Sequence, residues 1–165
     1  MSKIIFLDVD GVLNCRTTDK MAPGGYRGVE MDFIENLVRI VKKTGAEIVM
    51  TSDWKDLWDK ETGEKKPDFQ YLETRLSRKG LSVIDKTDDK SSSEDINSGR
   101  GEGIRQYLNA HPEIENYVIL DDAHYTDFRT LGFEEKGKVV YTSAQEGLDR
   151  QTADKAIRVL QAAEK

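Results

Sequence analysis

Five short apolar runs alternate with stretches of helical periodicity, and that alternation leaves few folds open to the chain. The runs are Ile4-Ile5-Phe6-Leu7, Glu47 to Met50, Leu81 to Ile84, Tyr117 to Leu120 and Lys138 to Tyr141. Each is four residues long and most are rich in β-branched residues. Near-continuous apolar runs of this length suit strands buried on both faces of a parallel sheet. Between them, Phe33, Ile34, Leu37, Val38 and Val41 fall at helical spacing, and Gly45 stands where a helix C-cap belongs. Phe69, Leu72 and Leu76 form a second stripe closed by Gly80. Ile104, Tyr107 and Leu108 mark a third helix, stopped before Pro112, and Ala156, Ile157 and Leu160 mark the last. Strands alternating with helices predict an α/β three-layer sandwich around a five-stranded parallel, Rossmann-like sheet. The whole chain, residues 1–165, reads as one domain, with a core of fair size for that length.

Three stretches fall outside the alternation. Residues 15–29 contain Gly and Pro without periodicity and read as a loop or small flap. Residues 59–67 are a charged loop, and residues 86–99 are polar. The net charge of −6 argues against a broad nucleic-acid-binding face, because such faces are basic; a local basic groove remains compatible with it. One cysteine, Cys15, excludes an intramolecular disulfide and fits a reducing compartment. No apolar run has the length of a signal peptide or membrane span, so the expectation is a soluble cytoplasmic protein with no membrane partner.

In open α/β sheets, ligands bind beyond the carboxyl ends of the strands. The residues just past each run are therefore informative. Asp8-Val9-Asp10-Gly11 comes after the first, and Thr51-Ser52-Asp53 after the second. Arg100 opens a helix after the polar loop beyond the third. Asp121-Asp122 comes after the fourth, with Asp127 further on. Acidic, hydroxyl and basic groups thus converge on one rim.

These residues carry a resemblance to the haloacid dehalogenase (HAD) superfamily. Its first motif, four apolar residues and then Asp-x-Asp-Gly, stands here as Ile5-Phe6-Leu7-Asp8-Val9-Asp10-Gly11. The second, a hydroxyl residue ending an apolar strand, stands as Val49-Met50-Thr51. The third, a cation near a helix start, stands as Arg100, and the fourth, an acidic pair, as Ile119-Leu120-Asp121-Asp122. All four occur in family order along almost the whole chain. The resemblance implies a phosphomonoester hydrolase with no large cap domain, since residues 15–29 are too few for one. It implies Asp8 as the nucleophile, passing through an aspartyl-phosphate, and Asp10 as general acid and then base. It implies Thr51 and Arg100 as catalytic and, with Ser52 and Gly11, as substrate-binding residues. It implies Mg²⁺ held by Asp8, the Asp10 carbonyl, Asp122 directly and Asp121 from behind. Either hydroxyl, Thr51 or Ser52, satisfies the second motif, and Lys86 and Lys90 compete with Arg100 for the third. Asp10 favours a phosphatase over a dehalogenase, whose halide leaving group needs no proton.

The expected partner is a phosphorylated substrate, either a small molecule or a polynucleotide end. Thr-Ser-Asp-Trp-Lys at 51–55 resembles small HAD domains of RNA-repair proteins. An alternative from a different class is a phosphate-binding or phospho-acceptor signalling module without turnover, although the order of the motifs is that of a hydrolase. Trp54 and Trp58, four apart, read as sharing a helix face and packing under the flap. Asp53 reads as the cap of that helix, Asp127 as either an orienting residue or a cap, and Arg16, Lys20 and Arg27 as flap cations able to attract an anion. His124 reads as an incidental loop residue.

Overall fold

The computed structural model describes residues 2–88 and 99–162. Five parallel strands, β1 (Ser2–Leu7), β2 (Glu47–Met50), β3 (Val83–Lys86), β4 (Ile114–Asp121) and β5 (Val139–Tyr141), form one sheet in the order β3-β2-β1-β4-β5. Side chains alternate across it. Ile5, Leu7, Ile48, Met50, Val118 and Leu120 bury into one apolar cluster, whereas Ile4, Phe6, Val49, Tyr117 and Ile119 bury into a second. Helices α1 (Met31–Thr44), α2 (Pro67–Ser77) and α5 (Arg150–Gln161) supply the first cluster through Ile34, Leu37, Leu72, Ala153 and Ile157. Helices α3 (Arg100–Ala110) and α4 (Thr126–Thr130) supply the second through Ile104 and Phe128. This is the expected three-layer, HAD-like sandwich, and no cap domain interrupts it among the described residues. No described helix is long and apolar enough to cross a membrane.

All strands but β2 depart from the expected bounds, and the shifts of β3 and β4 have identifiable reasons. The third begins at Val83 rather than Leu81, because Leu81 closes α2: its N–H bonds the Leu76 carbonyl past Gly80, which sits at φ 76°. It then runs on to Lys86, since an edge strand tolerates polar residues. The fourth begins at Ile114, earlier than its apolar run. The polar Asn116 is buried there because its amide donates to the Val159, Leu160 and Ala162 carbonyls at the end of α5. The helix expected around Trp54 is a 3-10 helix, Asp53–Leu57, and sequence periodicity passed over the five-residue α4.

The topology sets the site. After β1 the chain winds outward to β2 and β3, then crosses to β4 and β5 on the other side of β1. The switch point, where α/β sheets open a crevice, therefore lies between β1 and β4. The register aligns Leu7 with Leu120 and Met50. The ladder continues one step beyond: Asp8 N–H bonds the Leu120 carbonyl and Thr51 N–H bonds the Leu7 carbonyl, each at 3.0 Å. Asp8, Thr51 and Asp121 thus lie in one layer at the mouth of the crevice.

Candidate active site

Asp8 is buried, and so is Asp121; Asp122 is half-buried. A carboxylate oxygen from each lies within 4.8 Å of the others. Arg100, at the start of α3 and 7% exposed, answers them: Nη1 donates to Asp8 Oδ1 at 3.1 Å and to Asp121 Oδ2 at 2.9 Å. Three carboxylates thus gather at one point, and one guanidinium pairs with two of them. Burial pushes the Asp8 carboxyl well above its ordinary range, and the Asp121 charge pushes it further, although Arg100 pulls it back. Asp121 is raised too, by burial, against the pull of Arg100. Desolvation works to lower Arg100, but the Asp121 and Asp8 charges hold it above its ordinary range.

This cluster fits a divalent metal ion. The donors are all oxygen, as a hard cation prefers, and the negative charge exceeds what Arg100 alone offsets. Gly11 makes room for the third acid. At φ 82° it adopts a left-handed conformation, and a Cβ built there overlaps the Asp122 carboxylate. Thr142 fixes the same glycine from the end of β5, its hydroxyl donating to the Gly11 carbonyl at 2.7 Å.

Asp10 sits apart from the three acids. The strand ends at Leu7 and a turn begins at Asp10, so Asp8 and Asp10 do not share continuous strand. Asp8 is buried, whereas Asp10 is exposed in an open cavity of about 630 Å³ lined also by Gly11, Asn14, Asp53 and Asp122. Its two oxygens have different donors. Asn14 Nδ2 reaches Oδ1 at 2.9 Å, and Trp54 Nε1 reaches Oδ2 at 3.4 Å. The fully buried Asn14 also accepts from Gly11 N–H at 2.9 Å and so sets both the turn and the acid. Sequence reading missed Asn14 and Thr142. The signals were present: Asn14 stands three residues after the glycine, and Thr142 comes after β5 as Thr51 comes after β2.

The structure separates Thr51 from Ser52. Ser52 Oγ accepts from Trp54 N–H at 3.2 Å and caps the 3-10 helix, the part sequence reading gave to Asp53. Asp53 instead reaches Arg100 Nη2 at 3.4 Å from a largely exposed position. Thr51 Oγ1 is buried with no hydrogen-bond partner among the described residues, a costly arrangement without an incoming acceptor. Ser52→Ala is accordingly expected to cost about 1 kcal/mol in denaturant unfolding. Thr51→Val, which deletes an unsatisfied hydroxyl, should leave unfolding free energy nearly unchanged or higher.

Among the lysines that competed with Arg100, Lys86 is committed elsewhere: its Nζ donates to the Lys55 carbonyl at 2.9 Å and to the Trp58 carbonyl. Lys90 lies outside the described residues. The tryptophans part company, because the 3-10 helix ends at Leu57 and Trp58 is its C-cap. Trp54 is fully buried and meets the flap's Tyr26 edge-on at 5.0 Å, while Trp58 packs on Phe69. His124 stacks on Tyr141 at 3.7 Å.

Asp127 anchors the cation. From α4, its Oδ2 accepts from Gly99 N–H at 2.7 Å and Glu102 N–H at 2.9 Å, capping the helix that begins at Arg100. Gly101 permits the approach, since a Cβ there would stand 2.7 Å from Asp127 Cγ. The Tyr125 ring, 4.6 Å away, covers the guanidinium. Asp127→Ala leaves two helix N–H groups unpaired beside the buried ion cluster. It is expected to lower unfolding free energy by about 1–2 kcal/mol, with Asp127→Asn recovering part of the loss.

The first, second and fourth motifs meet at the switch point, and α3 brings the third to them. The family described as the HAD domain in Swiss Army Knife RNA repair proteins matches residues 4–153. The chain belongs to this family. The match reaches all five strands and spans the whole acid–guanidinium cluster, so the cluster is part of the HAD domain itself. The HAD family assignment brings with it phosphoryl-transfer hydrolysis in general and an acidic centre that can hold a metal ion. No curated protein matches the chain.

Proposed function

We propose that this chain is a Mg²⁺-dependent phosphomonoester hydrolase acting on the terminal phosphate of a polynucleotide. The observation that carries the reading is the convergence at one strand switch point of three carboxylates, a buried guanidinium and an unpartnered buried hydroxyl. Phosphoryl transfer requires positioning and charge neutralisation, and this set provides both.

Asp8 supplies the attacking oxygen. As its bond to phosphorus forms, the bond from phosphorus to the substrate's ester oxygen breaks, and Asp10 gives that oxygen its proton. Asp10 then takes a proton from water. The water oxygen attacks phosphorus, and the bond to Asp8 breaks, releasing inorganic phosphate and restoring both acids. Asn14 and Trp54 hold Asp10 through one lone pair on each oxygen, which leaves room for the transferred proton. Arg100 and Thr51 take the phosphate oxygens. Asp8, the Asp10 carbonyl and Asp122 would hold Mg²⁺, while Asp121, already bonded to Arg100 and to Ala123 N–H, would orient the set. When bound, the metal offsets the charge between the carboxylates and the phosphate.

Two observations support a polynucleotide end as substrate. The matched family is named for RNA repair proteins, and no cap encloses the cavity among the described residues. The test is release of inorganic phosphate, with and without Mg²⁺, from 3′- and 5′-phosphorylated oligonucleotides, nucleotides, sugar phosphates and phosphopeptides. Mg²⁺-dependent turnover favouring the oligonucleotides is the expected result. Turnover of small esters with none of the oligonucleotides would overturn the substrate and keep the mechanism. A stable aspartyl-phosphate with no release would make the protein a phospho-acceptor. In the same assay Thr51→Val is expected to raise KM about tenfold, because it deletes one hydrogen bond to a charged group.

A further inference from the structure

The cavity above Asp10 holds two cations that the chemistry of one phosphate does not use. Arg16 and Arg27 both line it, from the two ends of the 15–29 flap, together with Asp53 and Asp122. In the reading above, the transferred phosphate already has Arg100, Thr51 and the metal-binding acids. Some basic residues pair with acids, for example Lys20 with Glu30, Lys65 with Glu73 and Arg105 with Glu102. Neither flap arginine does. Arg27 Nη1 donates only to the Cys15 carbonyl, at 3.2 Å, and Arg16 has no side-chain partner among the described residues. Lys20, the third flap cation, is spent on Glu30 and does not line the cavity.

The flap that carries them is built in place. Met21 and Arg27 form an antiparallel bridge, and Gly28 N–H bonds the Lys20 carbonyl at 2.8 Å. The buried Asp68 of α2 accepts from Gly24 N–H and Tyr26 N–H, and Tyr71 Oη accepts from Val29 N–H at 3.2 Å. Tyr26 is 37% exposed and forms an aromatic wall of the same cavity, its ring held against Trp54. Two guanidiniums without acid partners on a backbone held in place, beside an aromatic ring and in a space of nucleotide size, make a site for a second anion attached to a base.

We infer that Arg16, Arg27 and Tyr26 form a second-phosphate subsite. It selects substrates that carry a phosphodiester one nucleotide from the phosphate removed. This rests on the phosphatase reading above and adds the residues that read the rest of the substrate. The Arg16 and Arg27 guanidiniums bind the phosphodiester oxygens, and the adjoining base lies on Tyr26. Length is thereby read at the first internucleotide linkage.

The experiment compares kcat/KM for three substrates: a terminally phosphorylated dinucleotide (5′ and 3′ forms), the corresponding mononucleotide and phenyl phosphate. The dinucleotide is expected to exceed the mononucleotide about tenfold, the effect of one charge-assisted contact pair. Arg16→Ala and Arg27→Ala should each cut the dinucleotide-to-phenyl-phosphate ratio severalfold, through KM. Arg16→Lys should restore part of it. Each alanine variant should also lower the slope of log KM on log salt for the dinucleotide by about one phosphate contact. Equal ratios in wild type and both variants overturn the subsite. Should no substrate turn over, calorimetric binding of the same dinucleotide to the Asp8→Asn protein makes the comparison independently. An Arg16-dependent preference there keeps the subsite while the phosphatase reading fails, and no preference overturns the subsite as well.

Discussion

Asp8→Asn is expected to lower phosphate release by at least roughly 10³-fold, in line with loss of a covalent nucleophile, and to raise the melting temperature of the metal-free protein. The two effects have one origin. The carboxyl of Asp8 is raised well above its ordinary range by burial and by the neighbouring Asp121 charge, so its ionised form works against the fold. A group whose folded pKa is raised favours the folded state fully below its unfolded pKa, and that advantage is lost as pH rises through the folded value. At neutral pH without metal the charge is therefore a burden, and the neutral amide, still able to accept from Arg100, removes it. Each kcal/mol relieved reads as about 2–4 °C for a chain of this size. Mg²⁺ reverses the ranking: at a hundredfold excess over Kd it adds about 2.7 kcal/mol to the wild type, and Asp8→Asn should lose most of that gain. Thermal melts in EDTA and in Mg²⁺ at pH 5 and pH 7.5 check both arms. An EDTA melting temperature lowered by Asp8→Asn at pH 7.5 would show that the Arg100 ion pair outweighs the repulsion among the acids.

Gly11→Ala should sharply lower activity although the glycine itself carries no reacting group. The methyl group is strained at φ 82°, and it enters the space of the Asp122 carboxylate. Left-handed backbone costs a residue with a Cβ about 1–2 kcal/mol, and displacing Asp122 costs the metal site one acid. A loss in kcat/KM of roughly 10²-fold is expected, as for a misplacement of about 1 Å at a reacting centre. A rise in the Mg²⁺ concentration at half-maximal rate should accompany it. Unchanged Mg²⁺ dependence with a normal rate would mean that Asp122 is not a ligand.

Much of the site could be read in the residues themselves. Strand ends are recognisable because buried parallel strands are apolar and their functional residues sit just past the last apolar position. That rule alone found Asp8, Thr51 and Asp121-Asp122, and a helix start after the third strand found Arg100. It erred where a polar residue has a tertiary reason to be buried. Asn116 lies inside β4 because it caps the end of α5, and Leu81 was drawn out of β3 by the closure of α2. The carbonyls that hold Asn116 lie more than forty residues along the chain, so no local pattern records that pairing.

The sequence by itself determined the layer architecture and the acids on the rim, since alternating periodicities and strand-end chemistry are local properties of a chain. Only the tertiary structure decided among chemically equivalent neighbours. Ser52 became a cap and left Thr51 the unpartnered hydroxyl, Lys86 turned to backbone carbonyls while Arg100 met the buried acids, and Lys20 paired with Glu30 and left Arg16 and Arg27 to the cavity. Residues of the same chemistry differ only in which partner the fold brings within about 3 Å, and that distance is set by packing between segments remote in sequence.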